Sequence, residues 1–84
     1  MKKIVKLKKC ESKLIFVKTL QKVTRKSLLE CKNIADSVMK CKYNGEPGYE
    51  YGVLLLNESS ITQEQWESVA NAMKDELKWE YIEL

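Results

Sequence analysis

The sequence predicts an α+β fold: a single two-layer domain over residues 1–84, in the order β-α-α-β-α-β. Its sheet has three mainly antiparallel strands and carries its helices on one face. Three observations predict this. Apolar residues alternate with period two near the start of the chain and again at its end. Between them, three stretches repeat with a helical period. Serine and threonine caps open two of those stretches. A two-layer design buries one face of the sheet and leaves the other to solvent or a partner.

The elements follow in order. Residues Lys3–Lys9 alternate, with Val5 and Leu7 on one side and Ile4, Lys6 and Lys8 on the other, the period of a strand with one wet face. From Ser12 the period changes. Phe16, Leu20 and Val23 stand at i, i+4 and i+7, one buried helical stripe. Thr24-Arg25-Lys26 breaks that helix. Ser27, with Glu30 three residues on, opens a second through a capping box. Its apolar face is Leu28, Cys31, Ile34, Ala35 and Val38. The Gly/Pro cluster Tyr43–Gly48 is a loop with the composition of a hairpin turn. Tyr49–Asn57 follows as a strand, and its continuous run Val53-Leu54-Leu55-Leu56 reads as central. Glu58-Ser59-Ser60 ends it. The third helix starts at Thr62, with Gln65 completing a capping box and Ile61 and Trp66 placed as a hydrophobic staple. Its inner stripe is Trp66, Val69, Ala70, Met73 and Leu77. A last strand, Leu77–Glu83, puts Leu77, Trp79 and Tyr81 on one face.

At 84 residues and 44% hydrophobic, the chain has the material for one core, near the lower size at which a core suffices unaided. No apolar run approaches the roughly 20 residues that cross a bilayer. Lys6, Lys8 and Lys9 interrupt any signal-peptide apolar region, so the reading is a cytoplasmic protein without membrane contact. Cys10, Cys31 and Cys41 are odd in number and form no C-x-x-C, and histidine is absent. They read as reduced, partly buried thiols, with a redox or metal role as the alternative. No nucleophile stands beside a base, and no glycine-rich phosphate loop is present. The expectation is a protein that is not an enzyme and that takes no cofactor or metal.

Charge is sorted along the chain. Residues 1–42 hold 13 Lys and Arg against 3 Asp and Glu; residues 43–84 hold 2 against 9. A basic half is therefore joined to an acidic half, and the summed field of each half steers association. The basic residues Lys2, Lys3, Lys6, Lys8, Lys9, Lys13, Lys18, Lys22, Arg25, Lys26 and Lys32 suit a solvated face, an acidic protein partner or nucleic-acid phosphates. The excess of lysine over arginine disfavours base reading. Trp66 and Trp79 read as core, while Tyr49 and Tyr51 are the better exposed contacts. Glu46, Glu50, Glu58, Glu64 and Glu67 have no spacing that marks a cation site.

The segment Lys13-Leu-Ile-Phe-Val-Lys18-Thr-Leu-Gln-Lys-Val-Thr24-Arg-Lys-Ser-Leu28-Leu-Glu30-Cys-Lys32-Asn-Ile-Ala-Asp36 resembles the C-terminal domain of the bacterial ribosomal stalk protein, of the ClpS-like fold group. That family reads approximately K-V-A-V-I-K-x-V-R-x-x-T-G-L-G-L-K-E-A-K-x-L-V-E. Lys13, Lys18, Thr24, Leu28, Glu30 and Lys32 match in register, and Leu14, Val17 and Leu20 match in character. Gln21 replaces the family's arginine, and Arg25 and Ser27 replace its two glycines. The sequence holds no counterpart of the family's dimerisation region and hinge. In the stalk family this helical pair recruits translational GTPases, and the resemblance implies a contact surface of Lys13, Leu14, Val17, Lys18, Leu28 and Lys32. The spacing agrees: Leu14 and Val17 stand at i, i+3, offset from the Phe16/Leu20 stripe and flanked by lysines. Gln21, Lys22 and Arg25 extend the same surface.

The expectation is therefore a non-catalytic protein-binding module, a small accessory factor or inhibitor. It docks an acidic or amphipathic protein surface through its basic helical pair. The alternatives are a nucleic-acid-binding protein using the basic half and a nucleic-acid mimic using the acidic half. Head-to-tail self-association of unlike halves is a third reading.

Overall fold

The structure, a computed structural model, describes residues 3–42, 48–56 and 61–83. It is an α+β domain. Strand β1 is Lys3–Cys10, helix α1 Lys13–Thr24 and helix α2 Leu28–Val38. Short strands β2 (Met39–Cys41), β3 (Tyr49–Tyr51) and β4 (Val53–Leu55) follow. Helix α3 (Gln63–Met73), a 3-10 turn at Lys74–Glu76 and strand β5 (Leu77–Glu83) complete it.

The main sheet has three strands in the order β4-β1-β5, and β2 and β3 form a separate two-stranded ribbon. All pairings are antiparallel. Two expectations are corrected here. The stretch expected as one strand from Tyr49 is divided at Gly52 between the two sheets. Gly52 N–H donates to the Val38 carbonyl at 2.8 Å, and its own carbonyl accepts from Leu7 N–H at 3.1 Å. The run Val53–Leu56 lies at an edge, and β1 is central. Its eight residues reach both neighbours, whereas β4 offers three. Asn57, the terminator Glu58–Ser60 and residues 43–47 of the expected loop lie outside the described residues, as do Lys2 and Leu84.

The core joins Val5, Leu7 and Cys10 of β1, Leu54 of β4 and Leu77 of β5 to the buried residues of all three helices. From α1 come Phe16, Val17 and Leu20; from α2, Cys31, Ala35 and Val38; from α3, Trp66, Val69, Ala70 and Met73. Leu77 belongs to β5 rather than to the α3 stripe, yet it is buried as expected. On the opposite side of the sheet Lys6, Lys8, Val53, Leu55, Lys78 and Glu80 are exposed. Phe16, Trp66, Trp79 and Tyr81 make a chain of T-shaped contacts through the core.

The helix starts follow their local signals. Ser12 and Ser27 each accept an N–H from the third residue on, at 3.3 and 3.1 Å. Thr62 and Gln65 form both halves of a capping box, and Ile61 and Trp66 are fully buried beside it. The Glu30 carboxylate instead lies 3.8 Å from Lys26 Nζ, so Ser27 caps α2 without the reciprocal bond. Cys10 and Cys31 are free, buried thiols. Burial pushes the Cys10 thiol up, and its S–H donates to the Ser12 carbonyl at 3.3 Å.

Candidate functional site

Helices α1 and α2 lie side by side, joined by a short break at Arg25. Arg25 has φ 59°, ψ 21°, a left-handed conformation that ends α1 and returns its N–H to the Gln21 carbonyl. The turn reverses the chain and sets Leu28 near Leu14. The result is an apolar groove of about 360 Å³ lined by Lys13, Leu14, Val17, Leu28 and Lys32. Five of the nine residues expected to meet a partner therefore converge on one depression.

Their depths differ. Leu14 is 62% exposed and Leu28 57%, so they form the walls, while Val17 at 6% is the floor. This corrects two expectations. Val17 is a core residue whose edge shows in the groove, not an exposed anchor. Leu28 is not on the buried face of α2; Cys31, Ala35 and Val38 take that face, with Ile34 half-buried beside them. Lys18, Gln21, Lys22 and Arg25 do not line the groove. Lys18, Lys22 and Arg25 are exposed, and Gln21 is half-buried.

Lys13 is committed inside the molecule. Its Nζ forms an ion pair with Asp36 of α2 and lies 5.8 Å from the centre of the Tyr49 ring. The hydrogen bond from Lys13 holds the Asp36 carboxyl below its ordinary range, with the charges of Lys13 and Lys32 adding to the effect. Lys13 thus latches α1 to α2 and to β3. By contrast Lys18, Lys22, Arg25 and Lys32 make no ion pair with any described residue. Of these Lys32 lines the groove, and the other three are exposed on α1 and at its C-terminal cap.

Two exposed apolar residues beside this surface escaped the sequence reading. Ile15 is 40% and Leu29 is 67% exposed. The adjacent pair Leu28-Leu29 was the available signal, since one helix face cannot bury both. Tyr49 and Tyr51, expected as exposed contacts, are half-buried against the core, and the Tyr51 hydroxyl donates to the Cys10 carbonyl at 3.2 Å. A hydroxyl on a ring needs such a partner once it leaves solvent.

No protein-family model, curated protein or solved structure matches the chain.

No helix among the described residues is long and apolar enough to cross a membrane.

Proposed function

We propose that this chain is a non-catalytic protein-binding module, a cytoplasmic accessory factor or inhibitor, that seats an acidic or amphipathic protein surface in the α1/α2 groove. The single observation that carries the reading is the convergence of Leu14, Val17, Leu28, Lys13 and Lys32 on one apolar depression. An apolar floor with cations around it offers burial to a partner's aliphatic or aromatic anchor and attraction to its acidic flank. The resemblance to the ribosomal stalk C-terminal domain belongs to the same proposal. Arg25 supports it, because its positive φ lies where that family has a glycine. A phosphate-binding reading draws on the same cations but has no use for the leucines between them.

The test is affinity purification from the native cell with wild type, Leu14→Asp and Leu28→Asp. Both leucines are mostly exposed, so the variants keep the fold, which circular dichroism checks. A protein retained by wild type and lost from both variants supports the reading. Retention by both variants removes it. Binding of RNA or DNA that weakens steeply with salt and ignores the leucines assigns the surface to phosphate instead.

A further inference from the structure

Among the described residues the main sheet ends on β4 at one side and on β5 at the other. The two edges are unequal. β4 offers three residues, whereas β5 offers seven, Leu77–Glu83, with neither glycine nor proline. An edge of that length presents main-chain groups that a further strand can complete. Their direction follows from β1. Leu7 N–H bonds Gly52 on the β4 side, so by alternation Ile4 and Lys6 bond toward β5. Their partners there are Ile82 and Glu80. The main chain of Trp79 is consequently turned to the outer edge.

Two independent features bear on what covers this edge. The first is aromatic. Trp66 is buried, but Trp79 and Tyr81 are only half-buried, with ring centroids 4.7 Å apart. Rings run from the core to the sheet edge and remain partly open there, the composition of an interface centre. The second is charge. Lys78 and Glu80 flank Trp79, with side chains 58% and 48% exposed; within the chain they meet Asp75 at 3.9 Å and Lys8 at 3.2 Å, surface pairs of little individual strength that leave both groups open to a second partner.

We infer that β5 pairs antiparallel with β5 of a second copy about a two-fold axis at Trp79, joining two sheets edge to edge. The charges choose the register. Centred on Trp79, the pairing sets Lys78 opposite Glu80 of the second copy, twice by symmetry. Centred on Glu80, it sets that carboxylate against itself. Centred on Tyr81, it leaves Lys78 beyond the partner strand with no acid opposite. Opposite charges directly across two strands stabilise them, and like charges destabilise them. The contact is isologous and closes at two copies, unlike a head-to-tail contact between unlike halves. It uses none of the groove residues, so it stands apart from the proposed function.

Sedimentation equilibrium of the full chain over a wide concentration range tests this. Wild type reversibly forms a dimer. Lys78→Glu puts carboxylates opposite one another and weakens dimerisation by roughly tenfold or more. The charge swap Lys78→Glu with Glu80→Lys restores it when made together with Lys8→Gln, since Lys8 meets Glu80 within the chain, and a merely structural role for either residue does not produce that rescue. Circular dichroism checks the fold of each variant, and hydrogen exchange at the Trp79 amide, slowing as concentration rises, reads the pairing without any substitution. A chain monomeric at its highest soluble concentration overturns the inference. So does assembly beyond two copies, a Lys78→Glu variant that dimerises like wild type, or a charge swap that fails to rescue.

Discussion

Arg25 and Lys74 hold backbone angles that a β-carbon disfavours, with φ 59° and 51°. They differ in kind. Arg25 sits in the ordinary left-handed region, at a cost of about 1 kcal/mol. Lys74, with ψ −123°, sits where glycine alone is comfortable, at a cost of order 1–3 kcal/mol. Glycine gains flexibility in the unfolded chain that offsets about 0.4–1 kcal/mol. Arg25→Gly is therefore expected to be nearly neutral, and Lys74→Gly to stabilise by about 1 kcal/mol, measured by urea denaturation. Lys74→Ala keeps the β-carbon and should show no gain. If alanine matches glycine, the strain is not in the backbone. The Lys13–Asp36 latch makes a second prediction at this scale. The Asp36 carboxyl is held below its ordinary value of 3.8, so the folded state favours the ionised form. The stability it contributes is fully present above the ordinary value and is lost as pH falls through the lowered one. Lys13→Met should return the Asp36 titration, followed by carbon-detected NMR, toward its ordinary value. A titration unchanged in that variant would leave the latch without effect.

The three helices show how far local signals reach. The start of α3 was legible because cap, box and staple all lie within six consecutive residues, Ile61–Trp66, and answer to one another. Thr62→Ala should cost about 1 kcal/mol or more and Ser27→Ala somewhat less, since only Thr62 belongs to a reciprocal pair. Paired denaturation curves decide it, and equal losses would mean that the Gln65 half of the box contributes nothing. The division at Gly52 was not legible. Alternation continues through Tyr49, Tyr51 and Val53, and only contacts with Val38 and Leu7, remote in sequence, divert the chain. Glycine inside a strand pattern was the one local hint of such a departure. The run Val53–Leu56 misled for a related reason. Apolar residues on both faces suggest burial on both, but Val53 and Leu55 are 48% and 38% exposed. They flank an apolar row on the outer sheet face, where Ile4 stands opposite Leu55 on one side and Ile82 on the other.

Sorting of charge along the sequence is partly folded back on itself in space. Antiparallel pairing of β1 with β5 lays the start of the basic half against the end of the acidic half, and Lys8 meets Glu80 at 3.2 Å. Lys9, Lys13 and Lys26 find acids within their own half. Lys18, Lys22, Arg25 and Lys32 of the helical pair have no ion pair with a described residue, and neither do Lys6, Lys40, Lys42 and Lys74 elsewhere. Sequence could name those of the helical pair: Lys18 stands beside the Leu14/Val17 patch in helical spacing, Lys32 comes with the stalk-domain resemblance, and Lys22 and Arg25 continue the same surface. It could not say that Lys13 would be spent inside the molecule or that Val17 would form a floor, because both depend on how α2 lies across α1. Under the proposed function, the consequence is a separation between what stabilises the fold and what attracts a partner. Exposed ion pairs contribute about 0–1 kcal/mol each and are screened by salt. The denaturation midpoint should accordingly change little when salt is raised, since the core carries the fold. Lys18→Gln with Lys22→Gln should leave that midpoint unchanged and slow association with the captured partner several-fold, the difference from wild type fading as salt rises. Val17→Asp should instead destabilise the chain by about 3 kcal/mol or more, an unpaired charge in the groove floor. Stopped-flow association beside urea denaturation separates the two effects. Cations that changed stability and not association rate would place the attraction elsewhere on the molecule.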